Sequence, residues 1–151
     1  MRVRRRDGSS GPWPVALWLY AVGAAVLGVS ALAGGATLVA DPSGGGLSLP
    51  LAYLEGSPFA DYLLPGLVLF SAFGIGSFAV LYGVARRRPW AWVGAVGLGA
   101  AQVVWIAVQL YVIRTLHPLQ AVFGGLGAAL VVLALLPSVR DALQPTRQER
   151  A

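Results

Sequence analysis

Apolar residues fall into four long runs, about Val15 to Val39, Tyr62 to Ala85, Trp90 to Ile113 and Leu119 to Leu136, and none holds Asp, Glu, Lys or Arg in its interior. Crossing a hydrocarbon core takes roughly 20 helical residues, so each run predicts one membrane-spanning helix. The chain thus reads as an all-α bundle of four transmembrane helices, a membrane domain over 15–136 with polar tails at 1–14 and 137–151. Between the first two runs lies the one sizeable polar interruption, 41–61.

Composition supports this class. Hydrophobic residues make up 57% of the chain and charged residues 11%, with a mean hydropathy of +0.72; soluble domains carry about 25% charged residues. There is no cysteine, which excludes thiol–disulfide relays, thiolate metal sites and disulfide scaffolds, and the single histidine, His117, excludes a haem held by two histidines of one chain. No Ser/His/Asp or Cys/His set is available for nucleophilic catalysis, and no acidic cluster for Mg²⁺. A non-enzymatic protein without cofactor or metal is expected. The pI near 10.5 suggests nucleic acid at first sight. The basic residues are all arginines, however, and they cluster at span ends, where bilayer orientation explains them.

Arg2, Arg4, Arg5 and Arg6 precede the first span, Arg86, Arg87 and Arg88 separate the second from the third, and Arg140, Arg147 and Arg150 follow the fourth. An even number of spans puts all of these on one side and leaves only Arg114 on the other. The positive-inside rule makes the arginine-rich side, with both termini, cytoplasmic. Trp13, Trp18, Trp90 and Trp92 then fall near the inner ends of the spans and Tyr53, Tyr62 and Tyr111 near the outer ends, as headgroup belts require. Ala31-Leu32-Ala33 has the form of a signal-peptidase site, but the apolar run before it is longer than a usual signal core and continues to Val39, so a retained span is expected.

The loop is therefore extracytoplasmic. Asp41-Pro42-Ser43 and Gly44-Gly45-Gly46 read as turn and linker, and 47–55 as a segment lying on the membrane surface or on the outer end of the bundle. Gly56-Ser57-Pro58 predicts the start of a short interfacial helix, with Ser57 as cap, Pro58 at the first position and Asp61 in the first turn. Pro65-Gly66 would kink that helix or divide it from the second span. Glu55, Asp61, Arg114 and His117 form a candidate polar cluster at the outer end, in which Asp61 or Glu55 would hold the lone outer cation Arg114.

Inside the membrane the third span is the most polar. At 100° per residue Gln102 and Gln109 lie about 20° apart, with Trp105 some 40–60° away. Ala91 and Ala95 extend the same stripe, so this face should look into the bundle. Two readings follow. The glutamines are interhelical glue, bonding Ser71, Ser77 or Gln120, or Gln102, Trp105, Gln109 and Gln120 line a site for a lipid or quinone-like molecule. Ala24/Gly28, Ala95/Gly99 and Gly124/Ala128 have the spacing of close helix packing.

EGSPFADYLLPGLVLF and WIAVQLYVIRTLHPLQAVFGGLG together resemble a group of small uncharacterised bacterial four-span integral membrane proteins, over about residues 47–127. In that group an acid often stands at the place of Gln109, and Leu-Gln-Pro at the place of Leu119-Gln120-Ala121, so a protonatable role in the third span is not implied here. The resemblance implies a multi-pass protein of the bacterial inner membrane, and no activity. The expected role is structural or accessory, packing in the lipid bilayer with itself or with a membrane-protein partner. A small carrier or lipid-binding protein is the alternative.

Overall fold

A computed structural model describes residues 11–144; the arginines of the first six positions, Arg147, Arg150 and the outer parts of both expected tails lie outside the described residues. The described chain is helical, with four helices long and apolar enough to cross a membrane: α1 (Val15–Ala40), α2 (Leu63–Ala85), α3 (Ala91–Ile113) and α4 (Pro118–Leu135). Each boundary falls within one residue of the apolar run that predicts it. A short fifth helix, α5 (Pro137–Leu143), follows α4. One end of the bundle carries the 41–62 loop, and the other carries the α2–α3 turn and α5.

Helix α1 is the spine. Its buried positions are Leu17, Tyr20, Ala24, Leu27, Ala31, Gly35 and Leu38, together with Gly28. They alternate in steps of three and four, a mean period of about 3.5 that keeps one narrow seam turned inward and favours shallow left-handed crossings. At Gly35 an added Cβ would stand 2.5 Å from the Phe70 amide nitrogen, so the backbones of α1 and α2 nearly touch. A Cβ at Gly99 of α3 would stand 2.8 Å from the Val131 nitrogen of α4. Of the spaced small pairs, Ala24/Gly28 and Ala95/Gly99 are buried as expected, but Ala128 is exposed, and Gly127 takes the contact one residue earlier.

The helices thus form two tight pairs, α1 with α2 and α3 with α4. Between the pairs, α2 meets α3 through its last part, Gly76–Ala85. There the main core runs from Leu17 and Tyr20 through Val80, Val84 and Ala95 to Leu130 and Ala134. Helix α5 closes this end by burying Val139 and Leu143 in the same core, so 137–143 belongs to the fold rather than to a tail. Pro137 sits at the first helical position, where its missing N–H costs nothing. A second, smaller core of Leu38, Leu54 and Tyr62 lies at the loop end, with Leu49, Phe59 and Val112 packed against it.

The loop departs from expectation. No helix starts at Ser57, whose Oγ accepts the Phe59 amide in a local turn (3.2 Å); two single 3₁₀ turns, Gly45–Leu47 and Leu51–Leu54, form instead. The cause is Tyr62, whose amide donates to Pro42 O (2.9 Å) and whose hydroxyl donates to Pro50 O (2.8 Å). That commits Tyr62 to the loop and delays α2 to Leu63, where the Asp61 carboxylate accepts the first amide at 2.9 Å. Pro65 then falls in the first turn, where no amide is needed, so it neither kinks nor divides the helix. The turn at 41–46 depends on Gly44, at φ 81°, where a Cβ would collide with Leu49 O.

Valine at Gly35 or Gly99 should therefore force the paired backbones apart and cost about 1–3 kcal/mol each. Gly97→Val, where a new side chain meets nothing within 4 Å, should be near neutral. Unfolding by SDS in mixed micelles measures the difference; equal losses at all three positions would contradict the paired arrangement.

Candidate ligand site between the helix pairs

Because the pairs are joined at one end, the loop end leaves a cavity of about 560 Å³ between them. Its floor is Leu27 and Ala31 of the main core, and the small loop-end core with Leu47, Leu49 and Phe59 covers it. Helix α3 forms one wall and brings Gln102, Trp105 and Gln109 to it, and Gln120 of α4 joins them. The four residues singled out as a possible polar lining thus share one cavity.

Gln102 is 2% exposed, and its Oε1 is fully buried without a hydrogen-bond partner. Its stem crosses α4 at Gly127, where an added Cβ would lie 2.9 Å from Gln102 Cγ. Trp105 stacks on Phe73 with centroids 5.9 Å apart and planes tilted by 44°, and its buried Nε1–H also lacks a partner. Phe73 lies within Leu69–Ile75, a π-helical segment of α2, where Gly76 N–H reaches back five residues to Ser71 O. Such segments are frequent at functional sites. Here it carries Leu69 in the cavity wall and the ring that supports Trp105. Gln109 is half-buried in the cavity wall.

The bonds expected of glutamine glue do not form among the described residues. Ser71 Oγ donates to Leu67 O (2.6 Å) and Ser77 Oγ to Phe73 O, each satisfying itself one turn back on its own helix. Gln120 Oε1 accepts the His117 amide (3.0 Å) while His117 Nδ1 accepts the Leu119 amide (3.3 Å), so both serve the start of α4. Interhelical polar ties are made elsewhere: Tyr20 O–H donates to Ala95 O and Trp92 Nε1–H to Ala134 O, each at 3.0 Å. Tyr20 was readable only as one more aromatic in an apolar run, and its burial follows from the seam it occupies.

The outer-end cluster is not drawn together. Glu55, Asp61, Arg114 and His117 are all exposed. Asp61 caps α2, and Arg114 closes α3 in a left-handed conformation (φ 52°), its amide donating to Leu110 O. None of the side-chain hydrogen bonds among the described residues joins Arg114 to either acid. The acid that organises the loop is Asp41, which accepts Ser43 Oγ (2.6 Å) and the Gly46 amide (2.9 Å). Those bonds hold its carboxyl below the usual carboxylate range. No protein-family model matches the chain, nor does any curated protein or solved structure.

Two outcomes are expected. Gln102→Leu removes an unsatisfied buried carbonyl, whose burial costs about 1–3 kcal/mol, so the ligand-free variant should be as stable as the wild type or more so. Tyr20→Phe removes a made interhelical bond and should lose about 0.6 kcal/mol. SDS unfolding compares them, and a loss at Gln102→Leu as large as at Tyr20→Phe would restore the glue reading. Second, since the Asp41 carboxyl is depressed when folded, its ties are intact above the ordinary Asp range and lost as pH falls through the lowered value. Amide exchange at Gly46 should accelerate there, and Asp41→Asn should remove that pH dependence.

Proposed function

We propose that this chain is a non-enzymatic, multi-pass protein of the bacterial cytoplasmic membrane that holds an amphipathic molecule in the cavity at its loop end. The observation carrying this reading is Gln102, a cavity-lining residue 2% exposed whose carbonyl is bonded to nothing. Buried polar groups normally have partners, and Ser71 and Ser77, two of the partners expected from the sequence, are committed to their own helices. Size supports the reading, since ligand cavities run from about 300 to 1,000 Å³ and are mostly apolar with a few polar groups. A non-enzymatic role is supported by the one histidine, whose Nδ1 is occupied in capping α4.

The orientation proposed puts both termini in the cytoplasm and the 41–62 loop outside. Arg86, Arg87, Arg88 and Arg140 stand at the end opposite the loop, Arg114 at the loop end, and the bias matches the positive-inside rule. A second reading, packing against a membrane partner, is favoured by Gly97 and Gly125, exposed helix positions where an added Cβ would meet nothing within 4 Å.

Mass spectrometry of gently solubilised protein tests the first reading. One small molecule should be retained by the wild type near one per chain and lost from Gln102→Leu/Trp105→Phe while that variant still unfolds like its parent. Retention of bulk lipid alone by both proteins would overturn it, and a stoichiometric protein partner in its place would favour the second reading. For orientation, the chain has no native cysteine, so Ser48→Cys should react with an impermeant maleimide in intact cells and Ser138→Cys only after permeabilisation.

A further inference from the structure

Three consecutive arginines, Arg86, Arg87 and Arg88, form the turn between α2 and α3, and each is placed differently. Arg87 is half-buried in a left-handed conformation (φ 48°), and its guanidinium donates to Gly11 O at 3.0 Å, tying down the start of the described chain. Arg86 turns back along α2, its guanidinium over the Tyr82 ring at 5.7 Å from the centroid. Tyr82 is 51% exposed on a helix apolar enough to span a membrane, so that ring faces lipid. Arg88 is exposed, and among the described residues no hydrogen bond or ion pair engages its side chain. We propose that this turn binds the phosphate of an anionic membrane lipid through Arg86 and Arg88. The site requires the four helices to be membrane spans and is independent of the loop-end cavity.

The aromatic rings set the depth. Trp90, 46% exposed, lies against α2 at Gly83, next to Tyr82, and Trp and Tyr gather at the headgroup level. A guanidinium stacked there stands beside lipid phosphates rather than out in water, and its planar fork matches two phosphate oxygens. Charge selects the headgroup. Among the described residues this end carries Arg86, Arg87, Arg88 and Arg140 against one acid, Asp141, while Asp41, Glu55 and Asp61 all lie in the loop. Arg140 is set on the Trp92 ring, 5.3 Å from its centroid. With no carboxylate in the turn, the ammonium of a zwitterionic lipid meets only like charge. A lipid of net negative charge instead relieves the repulsion among adjacent guanidiniums. The positive-inside rule asks only that arginines stand on this side; it does not require one to lie over a lipid-facing ring.

The test places the full chain in phosphatidylcholine nanodiscs that hold a minor fraction of phosphatidylglycerol with the same acyl chains, at physiological ionic strength. Native mass spectrometry then counts the lipids that stay on the protein. Phosphatidylglycerol should be enriched over its share of the disc by about thirtyfold, the attraction of two arginines at a membrane surface. Arg86→Gln/Arg88→Gln should bring it close to its share. Arg114→Gln/Arg140→Gln removes the same charge elsewhere and should leave the enrichment in place. Enrichment that is absent from the wild type, survives Arg86→Gln/Arg88→Gln, or falls equally in both variants would overturn the site. Millimolar inorganic phosphate should not displace the lipid; displacement would overturn the lipid assignment in favour of a soluble anion.

Discussion

At Gly35 no side chain separates α1 from α2, and a single added carbon would come within 2.5 Å of the Phe70 amide. In a bilayer, where apolar side chains gain little by leaving lipid for protein, such close backbone approach is a main source of helix association. The same contact recurs between α3 and α4 at Gly99 and Gly127. Each pair is therefore pulled together along its own length, and nothing comparable draws the loop-end half of α2 onto α3. The cavity is the geometric remainder of two tight pairs joined at one end. Its position is set by where glycine lies in the four helices rather than by the residues that line it.

Polar groups follow a similar division. At the closed end, Tyr20 and Trp92 reach across to backbone carbonyls on neighbouring helices, and Arg140 lies over the Trp92 ring at 5.3 Å from its centroid. These ties secure α1, α3, α4 and α5 around the main core. Away from that end, Ser71 turns back on its own helix, as Ser77 does lower on α2, and the glutamine of α4 caps its own start. The Gln102 carbonyl and the Trp105 indole N–H of α3 are buried without partners. A carbonyl without a partner adds no tie between helices, so the scaffold does not rest on Gln102.

The spans were legible because hydrocarbon thickness imposes a length and forbids charge, and both are visible residue by residue. The convergence of Gln102, Trp105, Gln109 and Gln120 on one cavity was legible in part: helical periodicity puts the first three on one stripe, but their partners depend on how Ser71, Ser77 and Gln120 choose among competing bonds. Local bonds won each time, since a serine hydroxyl reaches the carbonyl one turn back without any helix moving. The start of α2 was misplaced for a different reason. Ser57-Pro58 is a sound local start signal, yet Tyr62 is tied to Pro42 and Pro50, residues 20 and 12 positions earlier, and a contact over that distance leaves no local pattern. Helix α5 escaped notice because Val139 and Leu143 are only two apolar residues in a polar stretch, and two residues at helical spacing suffice to seal a bundle end.

The loop's construction bears on how a lipid would reach the cavity. Tyr62 is held to the first part of the loop by two hydrogen bonds, and Asp41 knots the turn that leaves α1. Leu49, Leu54 and Phe59 pack against Leu38 and Val112 rather than facing water. The loop's hydrogen bonds thus lie within the loop itself, and its contacts with α1 through Leu38 and with α3 through Val112 are apolar. Parting along α3 would open the cavity where Val108 already stands exposed, toward the hydrocarbon and not toward water. A lipid could then enter tail and headgroup together from the leaflet in which it already resides, without ever exposing its chain to the aqueous phase. The apolar rim and the absence of Asp, Glu, Lys and Arg from the lining fit such a route.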